Sequence, residues 1–438
     1  MLNRASLCLR SYSPALRRLG SLSSRRAYAT QQPEFYDVVC VGGGPAGLSL
    51  VAALSIGAWK HIDTTRVQPY QSMEVWDGIS DSRISFDWAS VGLPSPKVPG
   101  EGPSIVAYMT ENANLTTALL KRLDELGGVS LIDNTRVSNI QLGEDTSSLD
   151  LRSWPILSLS NSRTLAARLL IGSDGAQSPV RQFAGIESRG WDYNRHGVVA
   201  TLRLSSTPTI PTAYQRFLPS GPIALLPLPG PHASLVWSTL PSYASHLKTL
   251  SPDDFTASVN AAFRLSYTDI QYMHTIPSGQ VSELEWRLKH TPLPHPSRLP
   301  AEVESVQEGS VASFPLRMRH AATYVGERVA LVGDAAHTIH PLAGQGLNQG
   351  QADVAALVGV VERAVENGGD IGAVMSLEAY DAERWAANNA MLGVVDKLHK
   401  LYSVESGPVV GLRSLGLSAV DRFGWVKGLL MGRAAGNA

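Results

Sequence analysis

The residues best suited to specific chemistry are glycines and aspartates in three separated runs. The first, Gly42-Gly43-Gly44-Pro45-Ala46-Gly47, has G-x-G-x-x-G spacing directly after the apolar run Val38-Val39-Cys40-Val41. Between a strand and a helix, Gly42 permits a tight turn, Gly44 lets backbone approach a pyrophosphate, and Gly47 lets the helix pack closely on the sheet. The helix that starts here would aim unpaired N–H groups and a partial positive charge at the anion. The second run, Gly172-Ser173-Asp174-Gly175 continuing through Ser178 to Arg181, also follows an apolar stretch. Asp-Gly by itself is turn chemistry, so the length of the run carries its meaning. The third is Gly333-Asp334-Ala335-Ala336-His337, preceded by Val329-Ala330-Leu331-Val332 and continued by Pro341-Leu342-Ala343-Gly344-Gln345-Gly346-Leu347-Asn348. A carboxylate at a strand's end can hold ribityl hydroxyls. A glycine-rich turn opening a helix can stabilise negative charge at N1 and O2 of a flavin as the ring is reduced. Together the three runs describe an FAD site.

Those runs need a parallel sheet with helices behind it. Ordered structure is predicted from Tyr36, with a buried strand over 37–41 and a helix from Ala46 to Leu54. Met73-Glu74-Val75-Trp76-Asp77 and Arg83-Ile84-Ser85-Phe86-Asp87 flank a turn at Gly78 and read as a hairpin. Leu115, Leu119, Leu123 and Leu126 mark one face of a helix ending at Gly127-Gly128, before a strand at Val129-Ser130-Leu131-Ile132. From Ile186 to Pro300 strand patterns punctuated by proline predominate, and after Gln351 the pattern is helical. The organisation expected is a discontinuous FAD-binding, Rossmann-like α/β domain over 35–60, 101–185 and 311–388. An antiparallel-sheet substrate domain over 61–100 and 186–310 is interleaved with it, and a helical region over 389–438 closes the chain. Residues Val409 to Met431 alternate apolar groups with Arg413, Asp421, Arg422 and Lys427, which suggests an amphipathic helix packed on the core rather than on a membrane.

Composition narrows the function classes. The 438 residues are 44% hydrophobic and 17% charged, enough for a large core, and a net charge of −1 gives no basic field for a nucleic acid. Residues 1–30 carry Arg4, Arg10, Arg17, Arg18, Arg25 and Arg26 with no acid before Glu34, the composition of a mitochondrial transit peptide. Of the two cysteines, Cys8 lies in that segment and Cys40 in the first apolar run. The expectation for Cys40 is a small buried hydrophobe, with no disulfide and no cysteine metal site. No apolar stretch reaches the roughly 18 residues a membrane-spanning helix needs.

At the three runs the chain resembles the para-hydroxybenzoate hydroxylase superfamily, with its glutathione-reductase type FAD domain, and within it the ubiquinone-biosynthesis monooxygenases. The closer likeness rests on Gly333 to Gly350 (GDAAHTIHPLAGQGLNQG), supported by Tyr214 to Leu228 and Trp59 to Trp76. It implies FAD contacts at Gly42, Gly43, Gly44, Ala46 and Gly47, at Asn112, at the Val137 backbone near the adenine, at Asp174 and Gly175, and at Asp334. It also implies contacts at Pro341, Gly344, Gly346, Leu347 and Asn348. No catalytic residue is assigned. The implied chemistry is hydroxylation of a polyprenylated 4-hydroxybenzoate ring by O2 through a flavin C4a-hydroperoxide. Implied partners are a ferredoxin and its reductase as electron donors and subunits of the ubiquinone-synthesis complex, with peripheral contact on the matrix side of the mitochondrial inner membrane.

One departure stands out. The family's second parallel strand, ending in an acid on the adenosine ribose about 20 residues after the glycines, has no counterpart, because Leu54 runs directly into Ser55-Ile56-Gly57-Ala58-Trp59. Asp63 falls at a similar distance without a strand before it. Two other readings follow: a truncated, FAD-deficient, non-enzymatic subunit of that complex, or a non-haem iron oxygenase built on Asp334, His337 and His340.

Overall fold

The computed structural model describes residues 6–9, 33–53, 58–91, 105–146, 149–291, 295–341, 344–424, 426–428 and 431. The junction at Leu54 and Ser55 and the six presequence arginines lie outside them, as do Leu342 and Ala343 of the third run. Two compact units emerge, one from residues 1–62, 112–191 and 317–393, the other from residues 63–111, 192–316 and 394–438.

The first unit is built on Glu34–Val41, an eight-residue strand whose last four residues are buried. β-Branched residues at Val38, Val39 and Val41 suit a strand covered on both faces. It pairs in parallel with Thr164–Gly172, which pairs in parallel with Val329–Leu331. The register puts Val41 opposite Gly172 and Gly172 opposite Leu331. The three chemical runs therefore leave the sheet at one level, at the carboxyl ends of adjacent parallel strands where α/β sheets bind ligands. Pro45–Ala53, Asn112–Leu126 and Gln345–Glu366 supply helices to this unit. In Asn112–Leu126, Leu119 and Leu123 are buried at i, i+4 spacing, and Gly127 and Gly128, both at positive φ, end the helix.

On the other side of Glu34–Val41 lies Ser6–Leu9, antiparallel to it and antiparallel also to Val129–Ile132. Val129–Ile132 thus runs parallel to Glu34–Val41 one place removed. Within the segment read as a transit peptide, these four residues alone are described.

The second unit holds an ordered run of strands: Ser188–Leu204, His232–Thr239, Gly221–Pro227, Thr212–Leu218, Ser72–Asp77 and Arg83–Phe86. Pairing is antiparallel except between Thr212–Leu218 and Ser72–Asp77, which run parallel, so the expected all-antiparallel sheet is corrected to a mixed one. Pro252–Arg264, Tyr267–Met273 and Gln280–His290 bring Phe255, Phe263, Ile270 and Leu284 into a separate core with Trp76 and Trp237. The C-terminal helix Pro408–Arg422 inverts the amphipathic expectation. Leu412 and Leu415 are 68% and 70% exposed, while Arg413 is buried. The cause is Asp77, itself 1% exposed, whose two oxygens accept Arg413 Nε at 3.0 Å and Nη2 at 2.9 Å. A buried carboxylate needs such a partner more than a leucine needs cover.

Candidate functional site

The three runs interlock atom by atom. A Cβ on Gly42 would stand 2.2 Å from Ser173 O and one on Gly47 2.3 Å from Ser173 Oγ, so only glycine fits at either place. Gly42 also has φ +127°, a conformation side chains resist. Gly44 has open space where a Cβ would be, which is the approach a pyrophosphate needs. Ser173 Oγ donates to Val41 O at 3.0 Å and Gly42 O at 3.2 Å, fastening the second run to the first. Arg181 donates from Nη1 to Ala335 O at 2.6 Å and from Nη2 to Ala176 O at 2.8 Å, fastening the second to the third. A Cβ on Gly333 would lie 3.4 Å from Ala46 Cβ and 3.9 Å from Gly350 Cα, so small residues bring the first and third runs together.

Polar capacity remains unfilled where a ligand would lie. Asp174 Oδ2 accepts the Val180 amide at 3.2 Å, while its Oδ1 is buried without a hydrogen-bond partner. Burial raises the Asp174 carboxyl above its usual value, and the Ser178 hydroxyl and Val180 amide recover only part of that. Asp334 opens to solvent at residue level, yet its carboxyl is also raised because protein crowds it, with His337 opposing the shift. We take this to be a crevice rather than an interior. Gly344, at φ +61°, precedes Gln345–Glu366 with no side-chain cap, leaving that helix's leading N–H groups available. Open backbone at Gly44, orphaned carboxylate oxygen and an uncapped helix end form a donor and acceptor set that fits FAD.

Every cofactor residue expected from the sequence falls in the first unit. Gly42, Gly43, Gly44, Ala46 and Gly47 form the first turn, Asp174 and Gly175 the second, and Asp334 the third. Pro341, Gly344, Gly346, Leu347 and Asn348 lie at or before the start of Gln345–Glu366, where Leu347 and Asn348 are exposed. Asn112 is the exposed first residue of Asn112–Leu126, and Val137 opens the strand Val137–Leu142. Asp63 stands apart: its Oδ1 accepts the Thr65 amide at 3.0 Å as the cap of a short 3-10 turn in the second unit. Cys40 is buried with its thiol pushed up to about 12 by desolvation.

The histidines of the third run are buried, and His337 Nε2 donates to Asp353 Oδ2 at 2.6 Å, while its Nδ1 has no hydrogen-bond partner. Among the described residues no three His, Cys, Asp or Glu side chains are grouped to hold a metal. Sequence reading missed Asp353, and with it Arg384 and Asn388, which bond to its other oxygen. The available signal was an acid at helical spacing from the apolar Leu357 and Val360, on the buried face that also carries Gln349.

Residues 101–394 match the family described as FAD binding domain. The chain is 36% identical, over an alignment of 471 residues, to the mitochondrial ubiquinone biosynthesis monooxygenase of Saccharomyces cerevisiae, covering 92% of this chain and 95% of that protein. It is 35% identical to the Xenopus tropicalis protein of the same name, covering 96% and 97%. Among solved structures, the p-nitrophenol 4-monooxygenase of Pseudomonas putida shares the fold at a TM-score of 0.62, with 17% identity, covering 91% of this chain and 96% of that one. The yeast alignment is longer than the 438 residues of this chain, so that relative carries residues without a counterpart here.

Proposed function

Because this chain belongs to the family of mitochondrial ubiquinone biosynthesis monooxygenases, we propose that it hydroxylates the aromatic ring of a polyprenylated 4-hydroxybenzoate. The enzyme is an FAD-dependent monooxygenase that takes its oxygen atom from O2. Bound FAD supplies the redox chemistry that activates O2. The observation that carries the reading is the interlocking of three FAD runs at the carboxyl ends of adjacent parallel strands, with Asp174 Oδ1 unpartnered and Gln345–Glu366 opened by a glycine that offers no side-chain cap.

In this reading Gly44 and the N-terminus of Pro45–Ala53 receive the pyrophosphate, Asp334 the ribityl hydroxyls, and Asp174 a further hydroxyl. The N-terminal turn of Gln345–Glu366, with Pro341, Gly344, Gly346, Leu347 and Asn348, would hold the ring system and would steady negative charge on it. Asn112 and Val137 flank the adenosine. The substrate's own para oxygen activates the ring, so the protein needs positioning and exclusion of water more than a nucleophile. Electrons come from a ferredoxin and its reductase, the setting is the matrix face of the inner membrane, and contact with it is peripheral. Among the described residues no helix is long and apolar enough to cross a membrane.

The fold's second parallel strand, with its ribose carboxylate, is missing from this chain. Support comes from the excess length of the yeast relative and from the sheet, where antiparallel Ser6–Leu9 occupies the place beside Glu34–Val41. Adenosine binding is accordingly weakened, while the ribityl side keeps its residues. The test is to purify this chain and one with a family strand inserted after Leu54, and to measure flavin absorbance and hydroxylated product by mass spectrometry with ferredoxin and reductase supplied. Flavin uptake by both, tighter in the second, is expected. Hydroxylation supported by NADPH alone would overturn the electron-donor assignment, and absence of flavin from both chains would overturn the enzyme.

A further inference from the structure

We propose that Asp353 is a positioning residue that locks the Gly333–His337 turn to helix Gln345–Glu366 and sets the electrostatic potential beneath the flavin. The inference rests on the FAD site proposed above. Asp353 is fully buried and receives four donors. Gly333 N–H at 3.1 Å and His337 Nε2 at 2.6 Å reach Oδ2, while Arg384 Nε at 3.0 Å and Asn388 Nδ2 at 2.9 Å reach Oδ1. An ionised carboxylate has about four acceptor positions, and here each has a donor. Protonation would set an O–H against one of them, so the group is a carboxylate. Burial alone would raise its pKa, but the bonds and charge of His337, with Asn388 and Arg384, carry it below the ordinary value.

Two of the donors belong to the turn that carries Asp334, and two belong to helix Val374–Tyr402. Asp353 itself sits two turns into the helix whose N-terminal turn would hold the flavin ring. One carboxylate therefore fixes the distance between the ribityl-binding aspartate and the helix N-terminus, the two parts of the third run that must grip one cofactor together. It also orients the His337 ring through Nε2, and His337 in turn interacts electrostatically with Asp334. Of the other titratable neighbours, His320 is held down to about 4 by burial and the nearby His337, so it adds no charge near neutrality. Tyr324 and Tyr380 are raised by burial and stay neutral, and Asp381 accepts the Tyr324 amide at 2.6 Å. Asp353 and Arg384 are a directly bonded pair of opposite charges within this cluster, in surroundings where charge is poorly screened.

The two charges give opposite signatures. Reduced flavin carries more negative charge than oxidised flavin. Asp353→Asn keeps the shape, removes the carboxylate and leaves Arg384 uncompensated, which favours the reduced form. Arg384→Gln leaves Asp353 in excess and favours the oxidised form. A role confined to structure would loosen FAD in both variants without moving the potential in opposite directions.

The experiment uses the full chain loaded with FAD, the two single variants and the double variant, with FAD affinity read by fluorescence quenching and midpoint potential by dye equilibration. Asp353→Asn is expected to weaken FAD at least tenfold and raise the potential. Arg384→Gln should lower it, and the double variant should return toward the parent. A tenfold change in the ratio of reduced to oxidised FAD affinity corresponds to a shift of about 30 mV for a two-electron couple. If Asp353→Asn does not fold, by far-UV circular dichroism, Arg384→Gln and the double variant still carry the sign test. Shifts of the same sign, or none, in a parent chain that holds FAD overturn this proposal alone. A parent chain that takes up no FAD overturns the cofactor reading and this inference with it.

Discussion

Two pairs of aspartates in the first unit face opposite circumstances. Asp174 and Asp334, at the mouth of the site, are both raised in pKa by desolvation, and neither has a salt-bridge partner among the described residues. Asp353 and Asp370, behind the site, are saturated. Asp353 has its four donors, and Asp370 takes Arg328 Nη2 at 2.6 Å, Arg168 Nε at 2.9 Å and the Gly372 amide at 3.1 Å. Burial works against Asp370, but those partners bring its carboxyl down to about 2. The scaffold spends its donors on its own acids, and the site withholds them from the acids that a cofactor's hydroxyls would satisfy. That contrast matches the division between scaffold and the proposed FAD site.

The largest effect should come from breaking the saturated class. Arg384→Leu removes one of Asp353's two donors on Oδ1 and leaves a charge inside that is 0% exposed. Loss of one partner of a buried pair typically costs about 3–5 kcal/mol. Urea denaturation of the FAD-free chain should show a fall of this size in its unfolding free energy, and an unchanged midpoint would mean that Asp353 is not held as described.

Removing a carboxylate from the unsaturated class should act the other way. Asp174→Asn can still accept from the Val180 amide through its carbonyl, while the desolvated charge is gone. The expected result is an FAD-free protein as stable as the parent or up to about 1 kcal/mol more stable. It should bind FAD at least tenfold more weakly, in line with the ~1.5–3 kcal/mol of a hydrogen bond to a charged group. Calorimetric titration beside thermal melting separates the two. Equal loss of stability and affinity would place Asp174 with the framework.

How much of this was legible beforehand follows from where the determining forces lie. Glycine spacing reports local backbone geometry, so the turns at Gly42, Gly175 and Gly344 could be read directly, and so could the hairpin around Gly78 and the leucine helix. The short apolar run after Gly127-Gly128 likewise exposed the strand at Val129. Saturation of an acid depends on donors far away in sequence: Arg384 lies 31 residues from Asp353, and Arg413 lies 336 from Asp77. Neither distance leaves a local trace. The same holds for Ser173, which looked like part of a turn and proves to be the contact that forces glycine at Gly42 and Gly47. The inverted helix at Leu412 and Leu415 was misjudged because periodicity records which residues share a face and not which face is covered.

The smallest effect is also the sharpest discriminator, since only its sign matters. Asp370 has a folded pKa of about 2 against 3.8 for the free group. It therefore adds stability at pH values above 3.8, and this is lost as pH falls toward 2. With its side chain 35% exposed, solvent screening holds that contribution below about 1 kcal/mol. Asp174 is raised above 3.8, so its stability is fully present below that value and is lost as pH rises through the folded pKa. Melting temperatures of the FAD-free parent, Asp370→Asn and Asp174→Asn should be compared between pH 3 and 7. At neutral pH the parent should melt above Asp370→Asn and at or below Asp174→Asn, and both gaps should narrow in acid. Gaps of the same sign at pH 7 would mean that the two classes of aspartate do not differ, and that withheld hydrogen bonds do not mark this site.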